Sequence, residues 1–133
     1  MISTARSNAA GATVLIVEDE PEICALLTDT MEAEGFQTKC VPSDSEAYVA
    51  IQHNAAYACM IVDVNLGTGT TGYDVARFAR QIDAALPVIY VSGQTSPESF
   101  MKNGVPGSLF VEKPFSPAEL MEQVHKLVGD NDG

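Results

Sequence analysis

Positive charge is scarce in this 133-residue sequence: 7 lysines and arginines face 18 aspartates and glutamates, a formal net charge of −11. Such a chain repels a phosphate backbone and an anionic membrane surface alike, so neither nucleic acid nor a membrane is expected as a direct partner. Long apolar runs are missing as well. No segment approaches the ~18 apolar residues a membrane helix needs. Residues 1–11 are small and polar, without the hydrophobic stretch of a secretory leader, and a cytoplasmic protein is expected. Cysteine is sparse and odd in number. Cys24, Cys40 and Cys59 fall inside strand-like or helix-like runs without metal-ligand spacing and read as buried reduced thiols. Length leaves no room for a second domain, yet 46% hydrophobic residues provide material for one core.

What is present is an alternation of strand-like and helix-like segments. Residues 13–17 form a short apolar run, and Pro21 then suits the first turn of a helix with Ile23, Leu26, Leu27, Thr30 and Met31 on one face. Residues 36–41 are more polar, as an edge strand would be, and Ser43 with Glu46 opens a second helix reaching about His53. A buried strand ending near Asp63 precedes a third helix marked by Val75, Phe78, Ala79 and Ile82. Residues 87–92 predict a fourth strand, residues 96–104 a short helix, and residues 108–112 a fifth strand. Ser116, Pro117 and Glu119 then cap a last helix whose inward residues are Leu120, Val124, Leu127 and Val128. Five strands alternating with five helices predict an α/β fold: a doubly wound, five-stranded parallel sheet in the order 2-1-3-4-5. The domain is expected over residues 12–129, with a flexible segment at 1–11 and a frayed tail at 130–133.

Functional residues of such sheets gather beyond the carboxyl ends of the strands. Glu18 and Asp19 follow the first strand, Asp63 ends the third, Ser92 ends the fourth and Lys113 follows the fifth. Two carboxylates about 4 Å apart repel by ~4 kcal/mol at an effective dielectric of 20, so three on one rim call for a cation. A hard divalent ion fits, and magnesium suits a site with few carboxylate oxygens because it keeps waters and shares its shell with a phosphate. Lys113 adds a mobile positive charge and Ser92 a hydroxyl donor. These are the parts needed to place a phosphoryl group on Asp63 as an acyl phosphate.

Four motifs carry a resemblance. Val-Leu-Ile-Val-Glu-Asp-Glu-Pro (14–21), Met-Ile-Val-Asp-Val-Asn (60–65), Val-Ile-Tyr-Val-Ser-Gly (88–93) and Glu-Lys-Pro-Phe (112–115), in this order and spacing, resemble the receiver domains of two-component response regulators. The resemblance covers the chain from Thr13 to Val128. It implies a flavodoxin-like fold and a phosphoacceptor Asp63 that takes phosphate from the phosphohistidine of a histidine kinase or a histidine phosphotransfer protein. Asp19 and Asp63 would bind magnesium directly, Asn65 through its backbone carbonyl and Glu18 through water. Ser92 and Lys113 would contact the phosphoryl oxygens, and Phe110 would be the switch aromatic that moves with Ser92. Asn65 and Gln94 would tune dephosphorylation. The resemblance further implies output through the face of the fourth helix, fifth strand and fifth helix, read by an effector or a second copy. Within that span residues 66–72 depart from the family's pattern, because the usual Pro is missing and the loop is longer by one residue.

Other readings compete. A relay intermediate, or a receiver belonging to a hybrid histidine kinase, would carry the same residues. Gly67, Gly69 and Gly72 spell GxGxxG, a dinucleotide-binding pattern. Asp63 at its mouth would repel a pyrophosphate, and no ribose-binding acid follows strand four. A haloacid-dehalogenase-type phosphatase also uses an Asp nucleophile with magnesium, but its second acid is replaced here by Asn65 and no cap domain fits. His53 and His125 read as solvent-facing, because a phosphohistidine role calls for a helical bundle. Tyr90 reads as core, and Met31, Met60, Met101 and Met121 as packing residues. The expected protein is therefore a phosphorylation switch rather than an enzyme with its own substrate.

Overall fold

The computed structural model describes residues 12–54, 56–67, 70–94 and 96–129. The expected flexible segment at 1–11 and frayed tail at 130–133 lie outside the described residues, as does Gly69 of the glycine pattern. Five strands, β1 (Thr13–Val17), β2 (Gln37–Val41), β3 (Cys59–Asp63), β4 (Val88–Ser92) and β5 (Leu109–Glu112), alternate with five helices. These are α1 (Pro21–Ala33), α2 (Asp44–His53), α3 (Gly72–Ile82), α4 (Pro97–Asn103) and α5 (Pro117–Val128). All strand pairs are parallel, in the expected order β2-β1-β3-β4-β5.

Strand composition explains the order. β3 and β4 are buried along their whole length, whereas β2 alternates exposed and half-buried residues as an edge requires. Because successive strand side chains point to opposite faces, β1, β3 and β4 feed two cores. Leu15, Val17, Met60, Val62 and Tyr90 pack against α2 and α3. Val14, Ile16, Ile61, Ile89 and Val91 pack against α1 and α5 through Leu27, Met31, Leu120 and Val124. Ser or Thr side chains cap α2, α3, α4 and α5.

Several side chains depart from expectation. Cys24 and Cys40 are half-buried and joined in a disulfide, with Cα atoms 6.4 Å apart, and only Cys59 is a buried thiol. The packing of α1 beside β2 brings the two cysteines within bridging distance, a tertiary effect that spacing along the chain does not reveal. Ile82, the last residue of α3, is 43% exposed and Met101 on α4 80% exposed rather than packed. His53 faces solvent as expected; His125 is half-buried, 3.6 Å from Glu34. No helix among the described residues is long and apolar enough to cross a membrane.

Candidate phosphoacceptor site

The carboxyl ends of β1, β3 and β5 open into one cleft of about 460 Å³ lined by Asp19, Glu20, Asp63, Asn65, Gly67, Gly93, Gln94 and Lys113. Carboxylate oxygens of Glu18, Asp19, Glu20 and Asp63 all lie within 4.8 Å of one another. β3 delivers Asp63 to the rim as the last residue of a fully buried strand, leaving it only 4% exposed. Behind it Gly72 opens α3: its N–H donates to the Val64 carbonyl at 2.9 Å, and a Cβ at Gly72 would overlap the Asp63 carbonyl. Only glycine permits that approach.

Lys113 reaches in from the end of β5, where its bond to Pro114 is cis. Its Nζ lies 2.7 Å from Glu20 Oε1, 3.1 Å from Glu18 Oε1 and 3.2 Å from Asp63 Oδ2. Burial alone would pull the Lys113 pKa down, but hydrogen bonds to Glu20 and Glu18 and the charge of Asp63 outweigh it and raise the ammonium well above its ordinary value. Glu18 shows the opposite strain. Burial first, and the charge of Asp63 second, push its carboxyl from 4.5 to about 7. Glu18 Oε1 makes no aligned hydrogen bond and has the Lys113 ammonium at 3.1 Å. A buried, under-satisfied oxygen within an all-carboxylate donor set is what a hard oxygen-seeking cation would complete, so these residues fit a divalent metal.

Across the cleft, Ser92 Oγ donates to Asn65 Oδ1 at 2.9 Å and accepts from the Gln94 backbone N–H at 3.1 Å, while the Asn65 N–H donates to Asp63 Oδ1 at 3.0 Å. The structure thus brings Glu18, Asp19, Asp63, Asn65, Ser92, Gln94 and Lys113 around one point. Phe110 does not line this cleft. It is half-buried on β5 and stacks on Phe100 of α4, with ring centroids 5.5 Å apart.

Two features escape a sequence reading. Glu20 is the nearest partner of Lys113, and the signal for it was the unbroken acidic run from Glu18 to Glu20. Thr70 is tied to the start of α2: its N–H and hydroxyl donate to Asp44 Oδ2 at 3.1 and 2.8 Å, and its Oγ1 lies 2.9 Å from Tyr48 Oη. Those two Thr70 hydrogen bonds, the backbone one first, hold the Asp44 carboxyl below its usual range. No local pattern announces that tie.

A parallel five-stranded sheet with acids at the ends of β1 and β3 and a lysine after β5 defines a doubly wound α/β domain with an anionic, cation-ready switch-point site. A family model described as the response regulator receiver domain matches residues 14–125, and the chain belongs to that family, the receivers of two-component systems. The response regulator receiver protein of Sinorhizobium medicae is 31% identical with a TM-score of 0.84, over 91% of this chain and 97% of that one. A sensor protein from a Polaromonas species is 28% identical with a TM-score of 0.76, over 88% of this chain and 95% of that one. The DNA-binding response regulator MtrA of Mycolicibacterium smegmatis is 28% identical over 120 residues, 90% of this chain but 51% of the relative. The chain therefore spans about half the length of the curated relatives it matches.

Proposed function

We propose that this domain is a magnesium-dependent phosphoacceptor in which Asp63 receives a phosphoryl group from the phosphohistidine of a histidine kinase or histidine phosphotransfer protein. One observation carries the reading: a carboxylate 4% exposed at the end of the central strand, 3.2 Å from a lysine ammonium and clustered with three further acids. An Asp63 carboxylate oxygen attacks phosphorus, the phosphorus–nitrogen bond breaks, the imidazole leaves with the electron pair, and an acyl phosphate remains. Asp19 and Asp63 would hold the magnesium with the Asn65 carbonyl, and Glu18 would act through water; the ion supplies positive charge to the transferring oxygens. Lys113 neutralises charge on the opposite side, and Ser92 turns its hydroxyl from Asn65 to a phosphoryl oxygen. Asn65 and Gln94 stand where they can admit or exclude the water that later hydrolyses the acyl phosphate.

The domain assists its own phosphorylation and dephosphorylation and has no separate substrate. Output follows if Ser92 and Phe110 move together and reshape the face of α4, β5 and α5 for an effector or a second copy. The net charge of −11 speaks against direct nucleic-acid or membrane contact by this domain. A cytoplasmic location belongs to the same reading, because a phosphodonor charged from ATP must reach Asp63. The likeness to a sensor protein favours, as a second reading, a receiver within a hybrid kinase or a relay, whose phosphate passes on to a phosphotransfer histidine.

Intact-mass measurement after incubation with a small phosphodonor tests the proposal. One phosphoryl group is gained by the native protein with magnesium and none without it, and none by Asp63→Asn. A folded, magnesium-binding protein that gains nothing from either the small donor or a phosphorylated histidine partner overturns the reading.

A further inference from the structure

We infer that Glu20 is the resting counter-ion of Lys113, competing with an incoming phosphoryl group for the ammonium and so setting how readily Asp63 is phosphorylated. The inference rests on the phosphoacceptor reading above and assigns a positioning residue to it. Three observations carry it. First, the Glu20 contact is the shortest Lys113 makes, 2.7 Å against 3.1 Å to Glu18 and 3.2 Å to Asp63. Second, Glu20 occupies the N-cap of α1 without capping it. The other four helices are capped by Ser or Thr side chains, whereas the Glu20 side chain makes no cap hydrogen bond and instead crosses to a residue 93 positions away. Third, its backbone is pinned for this task, because the Glu20 N–H donates to Glu18 Oε2 at 3.1 Å.

An ammonium offers three N–H donors, and here three carboxylates take them. A phosphoryl group on Asp63 must claim one. The side chains of Glu18 and Asp63 are 0% and 5% exposed, so neither can turn to water once Lys113 leaves it; the Glu20 side chain, 57% exposed, can. The bond to Glu20 is therefore the one that gives way. Until it does, Lys113 is drawn toward the β1 side of the cleft.

The test compares the native protein with Glu20→Gln at saturating magnesium, using a small phosphodonor for rate and beryllofluoride for affinity. Both should rise about two- to fivefold in Glu20→Gln, the range for a partly exposed ion pair, and the gain should shrink in high salt. In the protein without donor, the Lys113 ammonium protons should exchange faster in the variant, as read by NMR. Magnesium affinity, measured separately by calorimetry, should stay equal or fall slightly. An unchanged rate and an unchanged beryllofluoride affinity overturn the inference while leaving the phosphoacceptor reading intact. A rate that falls together with a steep loss of magnesium affinity overturns it in favour of Glu20 as a metal ligand. A native protein that takes no phosphate, from this donor or from a phosphohistidine, removes the reading beneath it.

Discussion

The two sides of the cleft are built differently. On the α2–α3 side, α3 buries Gly72, Tyr73, Val75, Ala76 and Ala79, closes its first turn with a Thr71–Asp74 capping box, and meets α2 through Tyr48 and Phe78. Thr70 joins this side to Asp44. On the other flank of the same helix layer, α4, tied to α3 where Arg77 Nη1 donates to the Asn103 carbonyl at 3.0 Å, has seven residues, none of them buried, and Met101 stands 80% exposed. The strand rim is common to both. A site held rigidly on one flank and loosely on the other can keep Asp63 in place while a neighbouring surface changes, which is the division of labour a switch needs.

Breaking the firm side has the largest expected effect. Gly72→Ala drives a methyl into the Asp63 carbonyl and the Val64 backbone, neither of which can yield. The fold should lose on the order of 3 kcal/mol in urea unfolding, with phosphorylation at Asp63 impaired in whatever remains folded. Equal stability of the variant and the native protein would mean that α3 is not anchored there.

Next comes the rim itself. The Glu18 carboxyl, raised by burial and by Asp63 from 4.5 to about 7, favours its protonated form in the fold. A group raised in this way stabilises below its unfolded value and loses that contribution as pH climbs through the folded one. Without magnesium the fold should therefore weaken between pH 4.5 and 7, by about 1–3 kcal/mol at most, and Glu18→Gln should flatten that slope in urea midpoints measured against pH. Magnesium affinity should rise over the same window, since the ion needs the ionised acid.

Two smaller effects sharpen the contrast between the flanks. Thr70→Val should return the Asp44 carboxyl toward its ordinary range in an NMR pH titration, because its two strongest donors come from Thr70 and the hydroxyl one is lost. On the loose side, Met101→Gln should leave stability within about 0.5 kcal/mol of native, as for exposed substitutions generally. A larger loss would show that α4 is held more firmly than its burial suggests.

Much of this was legible in the sequence because it depends on local or periodic signals. The alternation of Val, Ile and Leu runs with capped amphipathic segments defines the sheet order, and carboxylates placed just beyond such runs are carried to one rim by the topology. Motif resemblance then named Phe110 and Gln94, which no simple electrostatic argument would select. What stayed hidden depends on where long side chains turn after folding. Lys113 prefers Glu20 over the acids named from sequence; Thr70 finds Asp44 26 residues away; Cys24 finds Cys40 across a helix–strand contact. Ile82 illustrates the converse, since helical spacing placed it inward while, as the last residue of α3, it is 43% exposed.

The stack of Phe110 on Phe100 has a mechanical consequence. Phe100 is half-buried on a helix that buries nothing fully, and it also meets Tyr90, whose hydroxyl receives the Val105 N–H at 3.1 Å. If Phe110 moves with Ser92 as proposed and leaves the face of Phe100, it gives up a ring contact worth about 0.5–1.5 kcal/mol. The helix then loses one of its few fasteners at the moment the strand beside it changes shape. Ring and helix would act like a latch bolt and its door, the bolt's withdrawal leaving the door to hang on the Tyr90 contact and on the Arg77 hydrogen bond to the Asn103 carbonyl.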